Sequence, residues 1–124
     1  TSFVTSSDSR IKQNVRLIDS PMEKLSQIRG VYYEWIDEAS TDKSQQIGLI
    51  AQEVQVVVPE VVSGIQRTVG DIKGILGLDY SKLVPLLIEG IKEQKQEIDS
   101  LKSRVSALET TVANILARLP TPDS

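Results

Sequence analysis

The chain contains no cysteine and no histidine among its 124 residues. Their absence excludes disulfide bonds, thiol nucleophiles, Ser-His-Asp triads and nearly all zinc chemistry. We therefore expect no bound metal and no cofactor. Any catalytic base in this chain must be a lysine, an aspartate, a glutamate or a tyrosine.

The chain also lacks an excess of charge of one sign and a long apolar run. Its 14 basic and 17 acidic residues give a net charge of −3, and the basic residues are scattered. Binding to nucleic acid or to an anionic membrane surface would require a basic patch. No apolar run approaches the roughly 20 residues of a membrane span, and the start has no signal-peptide pattern. We expect neither nucleic acid nor membrane as a partner of this segment.

A heptad pattern begins where aromatic residues and glycines become rare, at about residue 81. The length allows one modest head domain plus an extended element. Apolar residues occupy the a and d positions of four linked heptads, with one polar d position, which predicts a coiled coil. A single helix laid on its own head is the alternative, although it would tolerate a less regular stripe. The predicted seam consists of Ile91, Gln94, Ile98, Leu101, Val105, Leu108, Val112, Ile115 and Leu119.

Charges beside the seam predict the direction of the helices. In a parallel coil, a g residue faces the e residue five positions further on in the neighbouring chain. Glu97 would then face Lys102, and Arg104 would face Glu109, so both pairs have opposite signs. The residues leave the number of chains open, because β-branched a residues with Leu at d favour dimers whereas Ile115 at d favours trimers.

Prolines bound the predicted helix. Pro85 fits its first turn, where a missing N–H has little effect, and Pro120 and Pro122 end it. We predict a coiled-coil helix over residues 81–119 and a disordered tail over residues 120–124.

The preceding residues predict a mixed head, so the expected fold class is α+β: short strands and helices followed by the long helix. Ser20 and the next three residues have the spacing of a capping box and predict a short helix that ends at Gly30. Residues 31–36 are aromatic and β-branched and predict a strand, with Trp35 and the tyrosines in the core. A polar loop is expected over residues 37–46.

The second half of the head is less regular. Residues 47–58 are ambiguous between helix and strand, and we predict a helix because Ile47, Ile50 and Val54 share a helical face. Glycines between residues 61 and 78 predict short strands and turns that lead into the long helix.

The candidate site lies near the start of the chain, where Lys12 follows Ser7 by five residues. A serine needs a base to become a nucleophile, and lysine commonly replaces histidine in that role. A free lysine has a pKa near 10.4, so service as a base near neutral pH needs a decrease of about 3 units. We expect burial of Lys12 against apolar neighbours to provide it.

The same segment has a simpler interpretation. Ser6, Ser7, Asp8 and Ser9 form a polar cluster that suits a turn or a helix cap, and Lys12 is then a solvated charge. In either interpretation, Asp8 orients the turn or Lys12 and does not react.

Three blocks of sequence resemble the intramolecular chaperone auto-processing domain of phage endosialidase tailspikes and tail fibres, which also occurs in myelin regulatory factor. SDSRIKQNV, residues 7–15, is similar to the Ser-Asp-x-Arg-x-Lys segment of that family. GLIAQEVQVVVPEVV, residues 48–62, is similar to its Gly-x-Ile-Ala-Gln-Glu-Val block followed by Pro-Glu. LDYSKLVPLLIEGIKEQ, residues 78–94, is similar to the tyrosine-led entry to its final coiled coil.

The resemblance implies a parallel homotrimer that assembles a fibrous protein and then releases itself by cutting its own chain. Ser7 would be the nucleophile, Lys12 the base and Ser6–Ser7 the scissile bond. Residues 1–6 would be the end of an upstream passenger, and residues 7–80 the auto-processing head. The partners would be two further copies and the precursor, in host cytoplasm during viral assembly and then in a virion tail or fibre.

Two alternatives remain. One is a non-cleaving trimeric foldon or adhesin tip in which Ser7 and Lys12 are structural. The other is an adaptor whose helix pairs with a different chain, and Gln94 in the seam is compatible with either pairing.

Overall fold

The structure is a computed structural model that describes residues 4–121. Residues 1–3 of the predicted passenger segment lie outside the described residues. So do residues 122–124 of the predicted tail, including Pro122.

Two small antiparallel sheets and two short helices form the head, and one long helix extends from it. The strands are β1 (Val31–Tyr33), β2 (Gln46–Gly48), β3 (Val62–Gly64) and β4 (Leu76–Leu78), paired β1 with β2 and β3 with β4. The helices are α1 (Pro21–Ser26), α2 (Ala51–Val57) and α3 (Leu83–Arg118), and α3 has 36 residues. The expected mixed α and β head with a long helix is therefore confirmed.

The core lies where α2 meets the beginning of α3. Val54, Val61, Leu83 and Leu86 are buried in one cluster. Leu83 and Leu86 are three residues apart, so they project from the same face of α3. A partly buried shell surrounds them: Ile18, Leu25, Ile28, Leu49, Val58, Val62 and Leu78. This small cluster fixes the head to the first turns of the long helix.

Helix α1 lies across α3, and the contact replaces the predicted capping box. Ser20 has left-handed backbone angles, φ 46° and ψ 51°, and its side chain makes no capping hydrogen bond. The Met22 backbone N–H instead donates to Glu93 Oε2 at 3.1 Å. A carboxylate from α3 thus satisfies one of the free donors of the first turn of α1. The helix also ends at Ser26, so Gly30 does not terminate it.

Two predictions for the sheet region are wrong. Residues 46–48 form strand β2, so the helix expected from residue 47 begins only at Ala51. The predicted strand over residues 31–36 is shorter, Val31–Tyr33. In the single chain, Trp35 packs edge-on against Tyr33 but is 43% exposed, and Tyr32 is 71% exposed. The aromatic residues therefore do not form the core.

The predicted limits of the long helix agree with the structure. A 3₁₀ turn, Tyr80–Lys82, precedes α3, and Asp79 caps it by accepting from the Ser81 N–H at 3.1 Å. Pro85 lies in the first turn of α3, as expected. The helix ends at Arg118, before Pro120, and all of its residues from position 91 onwards are exposed in the single chain.

Candidate active site

A single turn brings Ser7 and Lys12 together. Ser9–Ile11 forms a 3₁₀ turn, closed by hydrogen bonds from the Ile11 N–H to the Asp8 carbonyl and from the Lys12 N–H to the Ser9 carbonyl. Lys12 Nζ donates to Ser7 Oγ at 2.7 Å. This distance suits transfer of a proton between the two groups.

Asp8 holds this turn through Arg10. Its carboxylate accepts from the Arg10 backbone N–H at 2.9 Å, from Nε at 3.1 Å and from Nη2 at 2.8 Å. The side-chain hydrogen bonds from Arg10 lower the pKa of Asp8. The side-chain partner of Asp8 in the described chain is Arg10 and not Lys12. Arg10 was missed in the sequence, although Asp commonly bonds the backbone two residues on.

The Ser7–Lys12 pair is open to water in the single chain. Both residues are exposed, and the expected burial of Lys12 against apolar neighbours is wrong for one chain alone. Several apolar side chains of the same segment are also exposed: Val4, Ile11, Val15 and Leu17. The single chain therefore supplies the pair but not the dry surroundings that would favour a neutral lysine.

The second and third sequence blocks meet at Gly48 and Tyr80. The Leu49 N–H donates to Tyr80 Oη at 2.9 Å. A Cβ at position 48 would lie 2.7 Å from Tyr80 Oη and 3.2 Å from Tyr33 Cε1. Only glycine lets the strand approach the tyrosine this closely. The contact ties β2 to the turn that starts the long helix.

An exposed ion pair joins the second block to the end of α1. Arg29 donates from Nε and Nη2 to the two carboxylate oxygens of Glu53 at 2.9 and 2.8 Å. The side-chain hydrogen bonds from Arg29 lower the pKa of Glu53. A shallow groove of about 430 Å³ lies beside this pair, and its lining includes neither Ser7 nor Lys12.

The predicted seam forms a continuous exposed stripe on α3. Its large apolar members are between 45% and 65% exposed, with Ile98 the least and Ile91 the most exposed. In the described chain the ion pairs of α3 are Lys92–Glu89 and Lys95–Asp99. The four charges predicted to pair between chains, at positions 97, 102, 104 and 109, make no ion pair within residues 4–121.

The described residues, 4–121, contain neither a metal-binding cluster nor a membrane-spanning helix. No group of three or more acidic side chains in this range is arranged to hold a metal ion. None of the helices in this range combines the length and the apolar character needed to cross a bilayer.

The described protein is thus a small mixed α and β head on a projecting helix, with a serine and a lysine in hydrogen-bond contact near its start. Residues 7–63 match the sequence model of a peptidase family described as Chaperone of endosialidase. These residues are similar to that family, and the family resemblance predicted from the sequence is confirmed.

The curated relatives are long tail fibre proteins Gp37. The protein of Salmonella phage S16 is 32% identical over 86% of this chain, and that of Escherichia phage AR1 is 36% identical over 70%. The protein of Enterobacteria phage Ox2 is 30% identical over 78% of this chain. The chain spans 14%, 8% and 39% of these three relatives, respectively.

Proposed function

We propose that this chain is an intramolecular chaperone that assembles a phage fibre or tailspike protein as a parallel homotrimer and then cuts itself off at Ser6–Ser7. The observation that carries the proposal is the 2.7 Å contact between Ser7 Oγ and Lys12 Nζ at the start of the family-matched segment. The tail fibre relatives support a virion tail or fibre as the parent. The proposed place of assembly is the host cytoplasm.

The proposed reaction starts with a neutral Lys12 amine taking the proton of Ser7 Oγ. The oxygen then attacks the carbonyl carbon of Ser6, and the peptide C–N bond breaks as the proton passes to the Ser7 nitrogen. The first product is an ester between the Ser6 acyl group and Ser7 Oγ. Water hydrolyses this ester, which gives a carboxylate at Ser6 and restores the Ser7 hydroxyl. Each chain reacts once, because the cut separates the enzyme from its substrate.

Assembly rests on the exposed stripe of α3. About 28 residues of helix, from position 91 to the end of α3, project from the head with their apolar side chains in water. Burying such a stripe between copies provides the main stabilisation of this part of the helix, most of which has no other packing partner among the described residues. Three helices with local contacts form quickly, so they can align three passenger chains before the slower β-structure of a fibre must pair.

The exposure of Ser7 and Lys12 supports an order of events in which assembly comes first. In the single chain, Lys12 Nζ donates a hydrogen bond to Ser7 Oγ, whereas a catalytic base must accept the serine proton. Neighbouring copies that cover the segment would remove water and favour the neutral amine. The cut would then follow assembly and leave the fibre kinetically trapped, because the chaperone is no longer attached to guide refolding.

The same exposure also favours a second candidate, a lasting trimeric clamp that never cuts. In that protein, the hydrogen bond between Lys12 and Ser7 would only stabilise the turn. The two candidates share the homotrimer and differ in whether the peptide bond at Ser6–Ser7 breaks.

Intact mass spectrometry on the chain with its native upstream sequence separates the candidates. The natural protein is compared with Ser7→Ala and Lys12→Ala. Ser9→Ala and Lys73→Ala serve as matched controls, since neither side chain makes a hydrogen bond in the described structure.

The proposal predicts two fragments, divided between Ser6 and Ser7, in the natural protein and in both controls. Ser7→Ala and Lys12→Ala should remain one full-length chain. An uncut natural protein would assign the chain to the clamp. A cut that persists in Lys12→Ala would remove the lysine from the mechanism.

A further inference from the structure

The first turns of α3 have two apolar faces instead of one. Leu83 and Leu86 are buried in the head core, and Gly90 is buried beneath α1. The apolar residue directly after each of these three positions is exposed: Val84 is 51% exposed, Leu87 47% and Ile91 65%. The helix therefore presents a second apolar face to solvent at the level of the head.

This second face is a continuation of the seam. Val84 and Leu87 lie one heptad before Ile91 and Gln94, so they occupy the same a and d positions. Successive residues of an α-helix are about 100° apart, and the exposed set follows the buried set by one residue. The head therefore packs beside the seam and leaves it uncovered.

The occupant that fits this face is another copy of the same chain. The charges flanking the seam further along α3 are complementary between parallel copies and make no ion pair within the described chain. Apolar residues also occupy two e positions, Ile88 at 52% and Leu116 at 61% exposure. A stripe that includes e is wider than a strict a and d seam, which favours contact with more than one neighbour.

We infer that the interface between copies begins at Val84, within the head, and not at Ile91. This inference rests on the proposed parallel assembly. In the first turns of α3, Leu83 and Leu86 then pack in the head core, whereas Val84 and Leu87 lie in the interface between copies. Folding of each head and association of the three helices are then coupled, because both require the same turns to be helical.

The inference also changes the position of Gln94 in the assembly. With Val84 and Leu87 in the interface, three apolar layers precede Gln94 instead of the single layer of Ile91. Three Gln side chains around one axis can each donate to one neighbour and accept from the other. A single enclosed polar layer fixes the axial alignment of a coil.

The absence of cysteine allows a direct test with single cysteines in the full chain. Leu87→Cys probes the head-level layer, Ile98→Cys probes the middle of the seam, and Gln96→Cys at an outward f position is the matched control. A short bis-maleimide reagent links two cysteines only where equivalent positions of different chains are close. Denaturing gels after a brief reaction measure the linked fraction.

We expect Leu87→Cys and Ile98→Cys to give similar yields of linked chains. Each yield should be at least about tenfold higher than the yield for Gln96→Cys. Linking of Ile98→Cys without Leu87→Cys would show that the helices diverge at the head. That result would overturn the inference and leave the proposed assembly intact. Failure of both positions would contradict the parallel assembly itself.

Adding Gln94→Leu to Leu87→Cys should lower the yield of linked chains, because staggered alignments of the helices become accessible. An unchanged yield would exclude the role of Gln94 in fixing the axial alignment.

Discussion

Replacing Gly48 with alanine tests how tightly strand β2 packs against Tyr80, which lies in the turn before α3. The added Cβ would meet Tyr80 Oη at 2.7 Å and Tyr33 Cε1 at 3.2 Å. Both neighbours belong to aromatic rings, which cannot yield by turning a terminal methyl group. We therefore expect Tyr80 to move away and release the Leu49 N–H.

Three terms set the size of this effect. Overpacking costs about 1–3 kcal/mol, and loss of the hydrogen bond to Leu49 costs about 1 kcal/mol. Replacing glycine also reduces the conformational entropy of the unfolded chain, which offsets about 0.4–1 kcal/mol of this loss in stability. The net loss in the free energy of unfolding should be about 1–3.6 kcal/mol for Gly48→Ala.

Urea unfolding at a fixed protein concentration, followed by the fluorescence of Trp35, measures the loss. Gly64→Ala is the matched control, because it also ends a strand and an added Cβ there has no neighbour within 4 Å. It should change stability by less than about 0.5 kcal/mol. Adding Tyr80→Phe to Gly48→Ala should recover part of the loss by removing the clashing hydroxyl. Equal stability of the two alanine variants would refute the reasoning.

Three further predictions concern the core, the turn and an ion pair. Leu86→Ala should lower the free energy of unfolding by about 2–5 kcal/mol, because Leu86 is 2% exposed; a loss below about 1 kcal/mol in urea unfolding would contradict this. Asp8→Asn and Arg10→Ala should each slow self-cleavage by about 10–100-fold, since they release the turn that positions Lys12; unchanged first-order rates on gels would exclude this role. The pKa of Glu53 is lowered in the folded protein. Its ion pair with Arg29 therefore stabilises the fold at pH values above the pKa of glutamate in the unfolded chain, near 4.3. This stabilisation is lost as the pH falls through the lower pKa of the folded protein. Arg29→Gln should therefore reduce the dependence of the melting temperature on pH between about 5 and 3, and an unchanged slope would contradict the assignment.

The features that were predictable from the sequence depend on local patterns. The heptad pattern and the bounding prolines predicted the long helix, because both act on the backbone within one or two helical turns. The glycines between residues 61 and 78 likewise predicted short strands and turns, and β3 and β4 lie in this range. The five-residue spacing brought Lys12 to Ser7 because a single 3₁₀ turn lies between them.

The features that were missed depend on distant contacts. Ile47, Ile50 and Val54 fit one helical face, but pairing with β1 fixes residues 46–48 as a strand. Ser20 makes no capping hydrogen bond to α1, and a carboxylate 71 residues after Met22 accepts from the first turn instead. Trp35 suggested a core position by its residue type, whereas the main buried cluster lies where α2 and Val61 meet the start of α3. Burial of Lys12 was expected from the chemistry of a base, and one chain alone does not provide it.

The most direct test of the account is whether cleavage depends on assembly. Leu101→Asn combined with Leu108→Asn disrupts the seam far from Ser7, and Ser103→Asn at an outward position is the control. Each chain, with its native upstream sequence, is examined by sedimentation velocity for its assembly state and by intact mass for cleavage. The account predicts trimers cut between Ser6 and Ser7 for the natural protein and the control, and uncut monomers for the double variant. A monomeric double variant that cuts itself as fast as the natural protein would contradict it.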